Sequence, residues 1–130
     1  MLSFVPSFAW ADESLLDWAQ RRVEQGLVKR LAELENSRFS RARPMPHERR
    51  ARVLSATALV DKSGRQFVPF AIDVRYGGDW QENDIVGCVY RGSGNLFVKR
   101  GDQYRSAAFL LGKNAGPVAG VCEAAPSARS

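Results

Sequence analysis

The chain predicts an α+β domain in which one long N-terminal helix packs on an antiparallel meander of about five strands. Residues 13–36 carry apolar side chains at spacings of three and four, the signature of a single helical face. Beyond residue 54 the pattern changes to strict alternation, interrupted by short polar turns rich in glycine. A helix stripe and a sheet face of this kind can both be buried only by laying one across the other.

The helix is the strongest local signal. Leu16, Ala19, Val23, Leu27, Leu31 and Leu34 form its stripe. Asp12 or Ser14 can cap the start, the acids Asp12, Glu13 and Asp17 suit the positive end of the helix dipole, and Asn36 with Ser37 marks the stop. Gly26 interrupts the pattern at a cost of about 1 kcal/mol relative to alanine, so a kink or a close approach of the sheet is expected there.

Residues 37–52 hold six arginines against the single acid Glu48, with Pro44 and Pro46 keeping the middle extended, and are expected to connect helix to sheet. Leu54, Ala56, Ala58 and Val60 then alternate, residues 61–64 turn, and Val68, Phe70, Ile72, Val74 and Tyr76 alternate again. This predicts a long hairpin with one apolar face. Further strands are expected at 84–90, 96–99 and 104–111, followed by a Gly/Ala/Pro loop over 112–120 that returns Cys122 to the sheet. In element order alone the arrangement is similar to the cystatin-like and NTF2-like architectures. No motif of either is present, so no function or site follows from the similarity.

The 130 residues, 45% apolar and 25% charged, fit one domain able to bury a core. The expected division is a remnant of an export signal over residues 1–11, the domain over 12–123 and a frayed tail over 124–130. The export reading rests on the apolar Leu2, Phe4, Val5 and Phe8 before the small pair Ala9 and Ala11, although a basic start is missing. It implies a periplasmic or secreted protein, in which Cys88 and Cys122 pair as a disulfide. No stretch approaches the roughly 18 apolar residues of a membrane span.

The net charge of +5 favours anionic partners without choosing among them. Arg38, Arg41, Arg43, Arg49, Arg50 and Arg52 form a candidate anion patch, which as a solvated connector would pair with Glu33, Glu35 and Glu48. Basic and aromatic residues interleave along the sheet, and strand parity assigns Tyr76 and Tyr90 to the core. Residues 77–84 are acidic and flexible, but Asp79, Glu82, Asn83 and Asp84 lack a regular calcium-loop spacing. Trp80 is a binding anchor if it lies exposed. Residues 91–95 read as a hairpin tip, and Arg100, Gly101 and Asp102 as a tight turn and not an adhesion tripeptide.

Catalysis has little to build on. His47 is the only histidine, no nucleophile has a base beside it, and an acid–base pair such as Asp73 with Asp84 depends on placement that sequence does not supply. No catalytic residue, cofactor or metal ligand is therefore expected. The expectation is an exported binding protein of inhibitor, immunity or envelope-accessory type. It would recognise another protein, or an anionic envelope polymer, through the outer sheet face and turns, with Trp80, Arg91, Asn95, Arg100 and Arg105 as candidate contacts. The alternatives are a cytosolic protein binding nucleic acid through the arginine patch, and a small enzyme with a carboxylate of raised pKa in a sheet-lined pocket.

Overall fold

A computed structural model describes residues 13–39 and 48–124, with the backbone alone at 36–39. The proposed export remnant, His47, Arg41 and Arg43 lie outside the described residues, as does the side chain of Arg38.

The helix runs through three segments: α1 (Leu15–Val23), a π-helical stretch (Glu24–Val28) and α2 (Lys29–Phe39). Ser14 caps it, its Oγ accepting the Asp17 N–H at 3.0 Å. Ala19, Val23, Leu27 and Leu31 are buried, each four residues from the last. Such spacing runs ahead of a turn of 3.6 residues, and the wider π turn brings the stripe back into line. Leu16 falls off this line and is exposed, while Leu15 packs on the core in its place. Gly26 sits inside the π turn, where a Cβ would lie 2.7 Å from Leu96 Cδ1 and would also strike the Arg22 guanidinium. Of the two properties expected of that position, the close approach to the sheet is present, and the irregularity there is a π turn.

The sheet has seven strands, not five: β1 (Glu48–Val53), β2 (Leu59–Val60), β3 (Gln66–Arg75), β4 (Gln81–Tyr90), β5 (Leu96–Arg100), β6 (Gln103–Ser106) and β7 (Pro117–Val118). All pairings are antiparallel in the order β1-β3-β4-β5-β6-β7, with β2 also on β3 beyond the end of β1.

The strand count differs for local reasons. Part of the arginine-rich connector is β1, because Ala51 is buried against the helix and Val53 packs partly beside it, while Arg50 and Arg52 take the other face. Residues 54–58 are not a strand: Ser55 Oγ donates to Thr57 O and accepts the Thr57 N–H, closing a local turn. Residues 107–111 form a 3₁₀ helix, since unbroken apolar Ala107–Leu111 has no polar alternation and Ser106 Oγ caps it at Ala108 N–H. The loop after it contributes β7, which pairs with β6.

The helix side of the sheet holds the main core, built on Val68, Phe70, Ile72, Val89, Leu96 and Val98. β3 does not have one clean apolar face. Phe67 and Ala71 are buried on the other side, where Phe67, Cys88, Tyr90 and Val121 make a second cluster. Cys88 and Cys122 are joined by a disulfide with Cα atoms 6.2 Å apart, which fixes the chain end over that cluster. Ala124 is ordered, bridging to Asp61. Tyr90 is core as parity predicts, whereas Tyr76 is exposed, because β3 ends at Arg75 and the chain turns away. At the β5–β6 turn Gly101 has φ +64°, the conformation a two-residue hairpin requires.

The Leu54 N–H donates to Pro69 O at 2.9 Å, so alternation turns the carbonyl of Ala51 away from β3. Gln20 Nε2 on the helix donates to that outward carbonyl at 2.7 Å.

Candidate functional site

β1 and β3 pair so that Arg50 stands opposite Asp73, and Glu48 opposite Arg75. Between the pairs Ile72↔Ile85 and Val74↔Gln81 the ladder shifts, leaving Asp73 facing a bulge in β4. Within it Asn83 adopts φ +61°, which carries its N–H to 3.0 Å from Asp73 Oδ1.

Asp73 is fully buried and fully partnered. Arg52 donates from Nε to Oδ2 and from Nη2 to Oδ1, each at 3.0 Å, and Arg50 Nε reaches Oδ2 at 2.8 Å. Arg52 Nη2 also donates to Asn83 Oδ1 at 2.8 Å. The Arg52 hydrogen bonds, then those of Arg50 and the Asn83 N–H, outweigh burial and hold this carboxyl far below the usual carboxylate range.

Trp80, just before β4, is half-buried and not the exposed ring on which the sequence conditions its role as an anchor, and it lies over this network. The guanidinium carbons of Arg50 and Arg75 are 4.3 and 4.7 Å from its ring centre. Arg75 in turn donates from Nε to Glu48 Oε1 at 2.6 Å. On the helix side of the same strand, Arg49 makes a bidentate pair with Glu35, at 2.9 and 2.7 Å. The Glu35 hydrogen bonds hold the Arg49 guanidinium still more firmly protonated, against the desolvation that opposes it. Between helix and β1 these groups frame a cleft of about 470 Å³ lined by Val28, Ala32, Glu48, Arg49, Arg50, Arg75 and Trp80.

Two sets that sequence kept apart therefore meet here: Trp80 from the candidate contacts, and Arg49, Arg50 and Arg52 from the candidate anion patch. The arginines are already matched. Arg49 has Glu35, Arg50 and Arg52 share Asp73, and Arg75 has Glu48. Of the partners expected for a solvated connector, Glu35 binds the patch residue Arg49, whereas Glu48 binds Arg75 on β3, outside the patch.

The other candidate contacts lie elsewhere. Arg91 and Asn95 are exposed at the β4–β5 turn, at the far end of β4 from Trp80 and so roughly 30 Å along the strand. Arg100 and Arg105 flank the Phe109 ring on the helix side of the sheet, at 5.2 and 5.0 Å from its centre, and Arg105 Nη1 donates to Ala115 O. The five residues do not make one surface, because β5 and β6 turn Arg100 and Arg105 to the same side as Val98.

A second buried carboxylate, Asp61, anchors the opposite end of the sheet. Tyr90 OH donates to its Oδ2 at 2.6 Å, while Oδ1 accepts from Ser63 N, Ser63 Oγ and Arg65 N. The Tyr90 hydroxyl leads in holding this carboxyl well below its ordinary range, and burial, with Asp61 beside it, pushes the Tyr90 hydroxyl up. Both shifted carboxyls move away from the range of a general acid at neutral pH.

In the acidic turn, Glu82 faces Arg50 at 3.9 Å and Asn83 serves Arg52. Among the described residues no three His, Cys, Asp or Glu side chains are grouped to hold a metal, and no helix is long and apolar enough to cross a membrane.

No protein-family model matches the chain, and neither curated proteins nor solved structures give a significant match.

Proposed function

We propose that this is an exported, non-catalytic binding protein that recognises another protein through the cleft between its helix and β1, with Trp80 as the anchor. The observation that carries the reading is Trp80 held beside Arg50 and Arg75 at a cleft that Val28 and Ala32 line from the helix. A large aromatic ring steadied by guanidinium groups, half-buried and next to a pocket, has the composition of an interface hot spot. The disulfide between Cys88 and Cys122 supports an oxidising compartment, periplasmic or extracellular.

The matched arginines favour a protein over a nucleic acid or another polyanion. A phosphate entering at Arg49, Arg50 or Arg52 has to displace a carboxylate already bound there. A protein partner can instead use the ring and the Val28 and Ala32 side chains while leaving the ion pairs in place.

Two measurements test the reading. Intact-mass analysis of the native protein, alkylated without reductant, is expected to find a chain beginning at Asp12 with both cysteines unreactive. A chain starting at Met1 with two free thiols defeats the export half. For the site, tagged wild type and the Trp80→Ala variant are compared by quantitative mass spectrometry of what each retains from envelope and medium. The same partner is expected to fall at least about tenfold with Trp80→Ala, the scale of a hot-spot truncation, and to persist with Arg91→Ala. The reverse pattern moves the interface to the β4–β5 turn.

A further inference from the structure

Charge is balanced around the cleft and unbalanced beyond it. Arg49, Arg50, Arg52 and Arg75 each have a carboxylate. Residues 96–122, by contrast, carry Lys99, Arg100, Arg105 and Lys113 against the single acid Asp102. Among the described residues none of these five makes an ion pair.

The β5–β6 register brings two of the cations together. Val98 pairs with Arg105 and Arg100 with Gln103, so Arg100 and Arg105 are diagonal neighbours on the helix side, with Cβ atoms roughly 7–8 Å apart. Lys99 falls on the opposite face. Phe109, half-buried in the 3₁₀ helix, holds both guanidinium groups, whose carbons lie 5.2 and 5.0 Å from its ring centre. Arg105 is fixed further by its Nη1 donating to Ala115 O at 3.2 Å, while its Nε–H is closed off from water without an acceptor. A guanidinium that has lost part of its hydration and has no counter-charge is poorly compensated, and a second one on the same ring adds repulsion. An anion shared by the two relieves both. At Gly112, φ +90°, the chain turns back and the Lys113 N–H donates to Ala108 O at 3.0 Å, which places a third cation on the loop whose Ala115 carbonyl Arg105 holds.

We propose that Arg100 and Arg105, steadied by Phe109, form a binding site for a phosphate or carboxylate group, with Lys113 on the neighbouring loop adding charge. A guanidinium fork matches the paired oxygens of either group. Arg100 is exposed, so the site is open to a free ion and to the same group carried on a chain. At the cleft an entering anion must displace a carboxylate, whereas here no acid is bound to either arginine. The site is separate from the cleft and does not rest on the reading of Trp80.

The test is a titration of the oxidised full-length protein, followed by the Nε–H resonances of Arg100 and Arg105 and the ring resonances of Phe109. Inorganic phosphate and acetate present the isolated groups, and inorganic polyphosphate and polygalacturonate present them on chains. Saturable shifts centred on these three residues are expected, and Arg100→Gln should weaken binding at least about fivefold. Arg91→Gln removes the same charge from the β4–β5 turn and should leave the affinity within about twofold. Equal affinity for isolated group and chain supports the site and makes a free ion its ligand. A chain held at least about tenfold more tightly supports it and makes a polymer the ligand. Absence of saturation at these resonances overturns the proposal. An equal loss with Arg91→Gln and Arg100→Gln also overturns it, because binding then follows net charge and not this pair of arginines.

Discussion

Asp73 is the residue on which the cleft depends, because one buried carboxylate fixes two guanidinium groups and, through Arg50, the place of Trp80. Its folded-state acidity lies below the unfolded value near 3.9, so its contribution to stability is complete above about pH 5 and is lost as the pH falls. Asp73→Asn should therefore be less stable than wild type at pH 7, and the gap between their urea midpoints should narrow steadily from pH 5 towards pH 2. A gap of constant width would show that the carboxylate's charge is not what matters. Asp73 was visible in sequence as a lone acid within an otherwise apolar run, Phe67 to Val74, yet its partners were not. Arg50 and Arg52 reach it only because β1 pairs with β3 in one particular register, and the β4 bulge that delivers the Asn83 N–H leaves no mark in the pattern of residues.

Among elements, those that carry their own apolar pattern were legible and those defined by their neighbours were not. The helix stripe declares itself by period because it buries one face, whereas β3 and β4 declare themselves by apolar runs of strand length although residues on both of their faces are buried. β1 is masked by charge: its core-facing positions include Arg49, and only the bidentate pair with Glu35 lets an arginine point at the helix. Residues 107–111 read as a strand by apolarity, but a run without alternation does not distinguish strand from helical turn. Gly26 shows tertiary packing overriding propensity. Replacing it by alanine gains about 1 kcal/mol of helix propensity, while crowding Leu96 and Arg22 costs about 1–3 kcal/mol. The Gly26→Ala variant should come out less stable by about 1 kcal/mol in urea unfolding, and a stabilised variant would mean the helix can back away from the sheet.

At the level of the whole molecule, the disulfide closes a sequence separation of 34 residues. In the chain-entropy account a loop of that size is worth about 4 kcal/mol, a large share of the stability of a small domain. Cys88→Ser combined with Cys122→Ser should lower the unfolding free energy by up to about this amount in denaturant titration, and a loss below about 1 kcal/mol would place the stability of the fold in the helix-side core alone. The two cysteines suggested this link from sequence, because a pair in an exported chain is expected to bond. The aromatic cluster beneath it was harder to foresee, since a Gly/Ala loop carries almost no apolar signal apart from Val121.

The contact between Gln20 and the Ala51 carbonyl bears on how the molecule lives among its own copies. β1 begins the sheet, and an open first strand invites the backbone of a neighbour to add itself and continue the ladder. By occupying that carbonyl the helix acts as a stopper on sheet growth, and at the other end β7 offers a landing only two residues long. The same helix that completes the core thus also ties up part of the sheet's open margin, a placement that works against edge-to-edge pairing.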